Sequence, residues 1–520
     1  MPNFSAYGNY GYAALKKQTT SAAVKPDIYF RLINESIVPA FNITPINEIS
    51  GDRERMVNSV QGTVEIEGDI EIYVEENIIG HFLRSLFGAP TTQTVTSGAA
   101  YRHIFAVGDT PLNYTFDVAP GNAPWVHRFY NTQVTKIAFS QADNAIKATI
   151  SVMPTKAFIS ARVTTAASSG NTLLVDQTAG LTTSDTILVL DKANGYTTKK
   201  ELTISAINSS TSLGVSTIDT SLDVDDIVVI KRAARASVVY DQCQPFQFSN
   251  GTAVFTGDDI DNTSERITED FSVEFANEVE RHFGSGLDQE DRYPYDIVTK
   301  GYTATGSVQR FYDSDEYLDR LRANDRLAVR FFMQGMHEVT GNSATKARSN
   351  WGSGNGFYIE AATAGKAGND YNVTFVINTS DTLAAALVPA GSKNIVVYLA
   401  NTTAANNTGT LIAAAVDALT GVDAAAVGTG AETFITAAAN VRLGEKSSGT
   451  NVVGTDANQK PYLQIDFASG SIDSYFVNNQ ENEVAMEEIP LTFYKDVNCE
   501  NDLQKGWSTR IYLYNGISSL

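Results

Sequence analysis

Residues 62–73 read Gly62-Thr63-Val64-Glu65-Ile66-Glu67-Gly68-Asp69-Ile70-Glu71-Ile72-Tyr73. Successive side chains of a strand point to opposite faces. Val64, Ile66, Ile70 and Ile72 therefore share one face, and Thr63, Glu65, Glu67, Asp69 and Glu71 share the other. One face is core and the other is a ladder of carboxylates. A solvated strand face is the plain reading of such a ladder. Like charges along one β surface repel, however, and sheets ordinarily mix signs, so the stripe calls for a reason.

The same pattern returns later in the chain without the charge. Residues 301–309 place Gly301, Thr303, Thr305, Ser307 and Gln309 on the equivalent face, polar but uncharged, with no lysine or arginine among them. Gly68-Asp69-Ile70 matches Gly306-Ser307-Val308, and each strand is followed by an apolar helical stripe: Ile78, Ile79, Phe82, Leu83 and Leu86 in the first copy, Tyr317, Leu318 and Leu321 in the second. Around these, residues 41–49 match 271–279, residues 112–116 match 327–331, Pro124-Trp125 matches Pro461-Tyr462, and Ile150-Ser151-Val152 matches Ile489-Pro490-Leu491. The order is shared, which is the signature of an internal repeat. The spacing between partners shrinks across residues 88–110, predicting extra loop in the first copy, and widens across 340–460, predicting an insertion in the second.

Two further segments stand outside the repeat. Residues 163–233 carry apolar runs at 172–175, 186–190, 201–204 and 227–230 between Gly, Ser, Asn and Asp, the pattern of a small all-β module. Residues 340–460 open on the Gly-rich Trp351-Gly352-Ser353-Gly354-Asn355-Gly356 and hold strands at 373–377 and 394–399. Leu411, Ile412, Ala415, Val416 and Leu419 recur there at helical spacing. Both segments read as surface decorations. The chain divides into 1–162, a first repeated unit with an N-terminal arm; 163–233, an inserted β domain; 234–339 with 461–520, the second unit; and 340–460, an inserted α+β domain.

Composition excludes several functions. The 520 residues carry 38 Lys+Arg against 59 Asp+Glu, a net charge of −21, which argues against a protein that grips nucleic acid by displacing counterions. The two inserts account for −3 and −1 of this, leaving −17 on the repeated parts. Cys243 and Cys499 match no metal or disulfide framework and read as small buried hydrophobes. Asp258-Asp259-Ile260-Asp261-Asn262 and Asp223-Val224-Asp225-Asp226 lack the glycine and terminal glutamate of a calcium loop and read as turns. The five histidines form no zinc motif, and neither a nucleophile elbow nor a phosphate-binding loop is present. No enzyme, cofactor or metal site is expected. There is no signal-peptide pattern and no apolar run long enough for a membrane helix.

The arrangement resembles the tail tube proteins of long-tailed bacteriophages. The resemblance rests on Tyr10-Gly11-Tyr12-Ala13-Ala14 with Lys16, Thr19 and Pro26, on residues 29–37, on Gly62-x-Val64-x-x-x-Gly68-x-Ile70 with its helix, and on residues 134–139 followed by 143–152. It covers both repeated units and neither insert. It implies a mainly β fold, with a small β-sandwich or barrel and one flanking helix per unit. Six units would form a ring whose sheets join into an inner barrel. With two units per chain, a homotrimer of pseudo-sixfold symmetry is expected in place of a hexamer. Four strands per unit would give a barrel of about 24 strands and about 48 Å across its backbone, enough for B-DNA to pass.

In that setting Glu65, Glu67, Asp69, Glu71, Thr303, Thr305, Ser307 and Gln309 are expected to face the lumen, and Arg53 and Arg55, in the 50–60 loop, to stack rings together with the 280–295 loop. The expected partners are copies of the chain itself and the tail terminator, tape measure and baseplate or tip proteins, with DNA only as cargo and no membrane. The expected location is the virion tail, after synthesis in the host cytoplasm. A β-modular bacterial surface or adhesin protein, and a different stacked tail component such as a sheath, remain as alternatives.

Overall fold

The computed structural model describes residues 11–47, 56–96, 100–108, 110–142, 145–240, 243–256, 263–266, 268–284, 292–312, 314–335, 339, 346–352, 354–444, 459–478, 485–495, 507–518 and 520. The protein is mainly β. Its first half comprises β1 (Tyr12–Lys17), β2 (Ile28–Phe30), β3 (Asn34–Glu35), β4 (Val38–Asn47), β5 (Met56–Tyr73), α1 (Ile79–Phe87), β6 (Thr91–Thr96), β7 (Ala100–Ala106), β8 (Tyr114–Ala119), β9 (Trp125–Ala142) and β10 (Ala145–Phe158). β11 (Ala161–Arg162) closes the first half, and the 163–233 segment contributes β12 (Gly170–Leu174), β13 (Thr186–Asp191), β14 (Thr197–Ser209), β15 (Ser212–Ile218) and β16 (Ile227–Lys231).

The second half resumes with β17 (Gln247–Thr256), β18 (Thr263–Arg266), β19 (Thr268–Phe283), β20 (Pro294–Phe311), α2 (Glu316–Ala323) and β21 (Leu327–Gln334). After it come β22 (Arg348–Trp351), β23 (Phe357–Ala361), β24 (Asn372–Ile377), β25 (Ala384–Leu387), β26 (Asn394–Leu399), α3 (Gly409–Asp417), β27 (Val422–Ala426) and β28 (Ala438–Arg442). The chain closes with β29 (Tyr462–Ile472), β30 (Phe476–Asn478), β31 (Met486–Phe493) and β32 (Thr509–Asn515).

The pairings of the first half recur in the second. β1 pairs with β8 as β17 pairs with β21, and β8 with β9 as β21 with β29. β4 pairs with β5 as β19 with β20, and β5 with β10 as β20 with β31. Even the irregularities recur. The β9–β10 ladder slips by one residue at Ser151/Val152, and the β31 ladder slips likewise between Glu488 and Leu491.

Gly68 and Gly306 fix the register of this likeness. A Cβ at Gly68 would meet the Ser36 carbonyl at 2.5 Å, and one at Gly306 would meet the Ser272 carbonyl at 3.0 Å. Ser36-Ile37-Val38-Pro39-Ala40 therefore stands where Ser272-Val273-Glu274-Phe275-Ala276 stands. The sequence match of 41–49 with 271–279 is out of register, as is that of 112–116 with 327–331. Both errors are by an even number of residues, which leaves an alternating pattern unchanged.

Two other expectations are corrected. The extra segment at 88–110 contains the β6–β7 hairpin, and β7 pairs with the C-terminal strand β32, which pairs with β29 of the second half. The 163–233 segment does not stand clear of the first half. β16 pairs with the start of β9, and Tyr12, Ala14, Ala119, Val126 and Phe158 share one core with Leu173, Val189, Leu213 and Val228. The 340–460 segment is more separate: its sheets, β22-β23-β27 and β25-β26-β24-β28, are their own, as is the core around Trp351, Phe357, Val397 and Ile412.

Each segment is docked by a buried charge. Arg128 is held by Asp117 at 2.7 and 2.9 Å and by Asp185 of the 163–233 segment at 2.5 and 3.2 Å. Burial opposes the Arg128 charge, but the two carboxylates outweigh it and push its pKa up. In the second half Arg330 is held by Asp466 at 2.7 and 3.0 Å, with Arg442 of the 340–460 segment 3.7 Å from the same carboxylate. Counted from the shared slip, Asp466 occupies the place of Arg128, and Arg330 that of Asp117. The two sets are alike in position and opposite in sign.

Replacing Arg128 by methionine leaves Asp117 and Asp185 as buried like charges and is expected to cost about 3–5 kcal/mol, read as a fall in the urea midpoint. The triple change Asp117→Leu, Arg128→Met, Asp185→Leu is expected to regain most of it. A second expectation concerns acid. Burial of His81 on α1, with Arg84 adding to it, pushes its pKa from 6.5 down to about 4. The unfolded chain then binds the extra proton across that window, so stability is full above about pH 6.5 and falls as pH drops towards 4, by about 3 kcal/mol. In His81→Leu that part of the pH dependence of the urea midpoint should be lost.

Candidate functional site

The two halves share a run of eight paired strands in the order β4-β5-β10-β9-β19-β20-β31-β30, four from each half. The halves meet where Ser272 to Ala276 of β19 pair with Ser140 to Lys136 of β9. Phe275, at this seam, packs against Phe87, Phe139 and Phe467 at ring distances of 5.4, 6.1 and 5.9 Å. An apolar seam between two β surfaces excludes water along its length, which makes the inter-half ladder a core feature.

The two faces divide as alternation demands. Val64, Ile66, Ile70, Ile72, Ala148, Ile150, Ala304 and Val308 are buried beneath the sheet. On the opposite face Glu67, Asp69, Thr303 and Thr305 are exposed, and Glu65, Glu71, Ser307 and Gln309 are half-buried. All eight residues thus lie on one continuous polar face. Arg53 and Arg55 lie outside the described residues. Of the loops that held them in the sequence reading, Met56 to Val60 and Glu280 to Phe283 are strand, so the long hairpins β4–β5 and β19–β20 reach further than expected.

The carboxylate ladder is not bare. The Arg281 guanidinium, reaching over from β19, donates to Glu65 at 2.8 Å, to Glu67 at 2.9 Å and to the Ile66 carbonyl at 3.1 Å. Lys147 lies 3.6 Å from Glu71, the Ser151 hydroxyl donates to Asp69 at 2.6 Å, and Lys136 pairs with Glu274 at 2.7 Å across the seam. These contacts relieve the repulsion that a single-sign stripe would carry. The face keeps an acidic excess, five named carboxylates against three cations.

The other acidic candidates resolve differently. Lys199 sits among Asp223, Asp226 and Asp191 at 2.6, 3.0 and 3.5 Å, a cation that offsets part of the charge of that turn. Residues 258–262 lie outside the described residues. A cavity of about 280 Å3 between the first half and the 163–233 segment is lined by Tyr12, Lys25, Tyr29 and Arg232 beside the Asp117–Arg128–Asp185 set. Its deepest charges already satisfy one another. No helix among the described residues is long and apolar enough to cross a membrane.

Residues 8–206 match a family model described as phage tail tube protein. The match runs through the whole first half and ends within β14. No curated protein matches the chain.

Among the described residues Arg281 is the one cation shared by Glu65 and Glu67, and both carboxylates are partly wet, so the bridge is worth about 1 kcal/mol or less. In Arg281→Ala the amides of the outer half of β5 are expected to exchange with solvent roughly fivefold faster, while those of β8 and β9 stay unchanged.

Proposed function

We propose, from the match of residues 8–206 to the phage tail tube protein family model, that the whole chain is a structural tail tube subunit carrying two tube units in tandem. Residues 1–162 form the first unit, and 234–339 with 461–520 the second. The segments 163–233 and 340–460 are additions to them. The observation that carries this reading is the eight-stranded sheet, in which each half supplies four strands in the same order. A family member with one unit supplies one such set to a ring; this chain supplies two. Three copies then close a ring of six units and 24 strands, about 48 Å across the backbone.

The polar face turns to the axis in such a ring, because the opposite face is committed to the core and α1. Its acidic excess, supported by the net charge of −21, repels a phosphate backbone and offers DNA few adhesive contacts. The chain works without chemistry of its own. It stacks rings, encloses the tape measure protein during assembly and DNA during ejection, and meets terminator and baseplate or tip proteins at its ends.

Negative-stain microscopy of the purified protein is expected to show hollow rings or tubes with threefold-averaged, pseudo-sixfold symmetry. Asp69, whose side-chain contacts leave the ion pairs of Arg281 intact, provides the test of the lumen. Asp69→Cys should react with a bulky maleimide in the dissociated chain and be protected at least tenfold in capped tubes. Equal labelling of intact tubes would place this face outside, and rods without a central channel would remove the tube reading altogether.

A further inference from the structure

The seam between the halves is a ladder in which β9 offers one edge and β19 the other. Each half also owns the edge that its counterpart uses at the seam. The place of β19 is taken in the first half by residues 36–40, and the place of β9 is taken in the second half by residues 474–478, as the shared glycine contacts and the shared slip require. Among the described residues β4 pairs only with β5, and β30 only with β31. The eight-stranded sheet therefore ends, on its two sides, in the two complementary halves of a joint it already contains once.

Resting on the tail tube reading, we propose that a second copy of this chain completes the joint. The β4 edge of one copy pairs antiparallel with the β30 edge of the next, in the register Ser36 opposite Asn478, Ile37 opposite Val477, Val38 opposite Phe476, Pro39 opposite Tyr475 and Ala40 opposite Ser474.

Burial follows this assignment. Ser272, Glu274 and Ala276 are half-buried in the completed seam, whereas Ser36, Val38 and Ala40 are exposed. Phe275 is buried, and its counterpart Pro39 only half-buried. On the other edge Ile137 and Phe139 are buried, and Tyr475 and Val477 half-buried. Each of these positions is one class wetter where the partner strand is missing.

The side chains supply a second, independent sign. Val38 and Phe476 are 60% and 61% exposed, among the most exposed large hydrophobic residues on the sheet, and the register sets them face to face. At the internal seam the corresponding positions are Glu274 and Ala138. The charged contacts of that seam have no counterpart at the open edges. Pro45 stands at the place of Arg281, and Thr303 and Thr305 stand at the places of Glu65 and Glu67. The chain thus joins its own halves with salt bridges and the next copy with an apolar pair.

Pro39 fits an edge that must not pair indiscriminately. The Ser36 N–H donates inward to the Asp69 carbonyl at 3.0 Å, so by alternation the N–H at position 39 would face out, and proline has none. A bare edge strand is a template for aggregation, and proline blunts it. The same alternation makes Val38 opposite Phe476 a non-hydrogen-bonded pair, the closer of the two kinds.

Cross-linking tests the register. In a background of Cys243→Ser and Cys499→Ser, the pair Val38→Cys with Phe476→Cys is expected to give covalent dimers and closed trimers on mild oxidation of assembled rings. Val38→Cys with Ser474→Cys, two residues out of register, should give at least tenfold less. Within one copy the two edges are about 34 Å apart along the sheet, so any disulfide reports a second chain. Phe476→Glu alone should yield folded chains that do not close rings, and adding Val38→Lys should restore closure. If rings form and the 38/476 pair fails to cross-link, or the out-of-register pair links equally well, this interface is wrong while the tube reading stands. If the unsubstituted protein forms no rings, the tube reading itself fails and the interface with it.

Discussion

The five residue pairs that join β9 to β19 are the contact on which the molecule depends. Backbone groups on a sheet edge must find partners or water. Here the edge of one half is satisfied by the edge of the other, with Phe87, Phe139, Phe275 and Phe467 sealing the core side. Two sheets of four strands thereby become one sheet of eight. Everything on the polar face, including the reach of Arg281 to Glu65 and Glu67, follows from that alignment.

The added segments are bound to this frame to different degrees. The 163–233 segment extends the sheet through β16, shares a core with β1 and β9, and contributes Asp185 to a fully buried ion set. The 340–460 segment keeps its own sheets and core; among the described residues it touches the frame through Arg442, which approaches Asp466 and donates to the Tyr512 hydroxyl at 3.4 Å, and through the Gly444 carbonyl, which accepts from the Gln93 side chain. Loss of the first would open a core; loss of the second would leave the Arg330–Asp466 pair in place.

Much of this was legible in the sequence because strand alternation and helical stripes are local. The 62–73 alternation, the stripes of α1 and α2, and the helix near residues 408–419 all lie close to where the pattern puts them. What the pattern could not supply was register. A period of two is blind to even shifts, so Phe41 matched Phe271 when Val38 belongs with Glu274. Partners far away in the chain were equally hidden: Arg281 and Glu65 are 216 residues apart, and nothing near residue 65 announces a cation. The β6–β7 hairpin was missed because Thr91-Thr92-Gln93-Thr94 carries almost no apolar alternation; it is a strand by virtue of β32 and its neighbours.

The opposite signs of the two buried ion sets bear on how such a chain finds its fold. Two halves with the same strand order, made on one polypeptide, invite mispairing, a common failure of repeated domains. A strand exchange that put β8 against β29 would set Asp117 opposite Asp466, and the companion error of β21 against β9 would set Arg330 opposite Arg128. Each mistake buries two like charges, a penalty of several kcal/mol, whereas each correct pairing buries an ion pair. Reversing the polarity in one half turns a structural salt bridge into an address label, by which each strand recognises the half it belongs to.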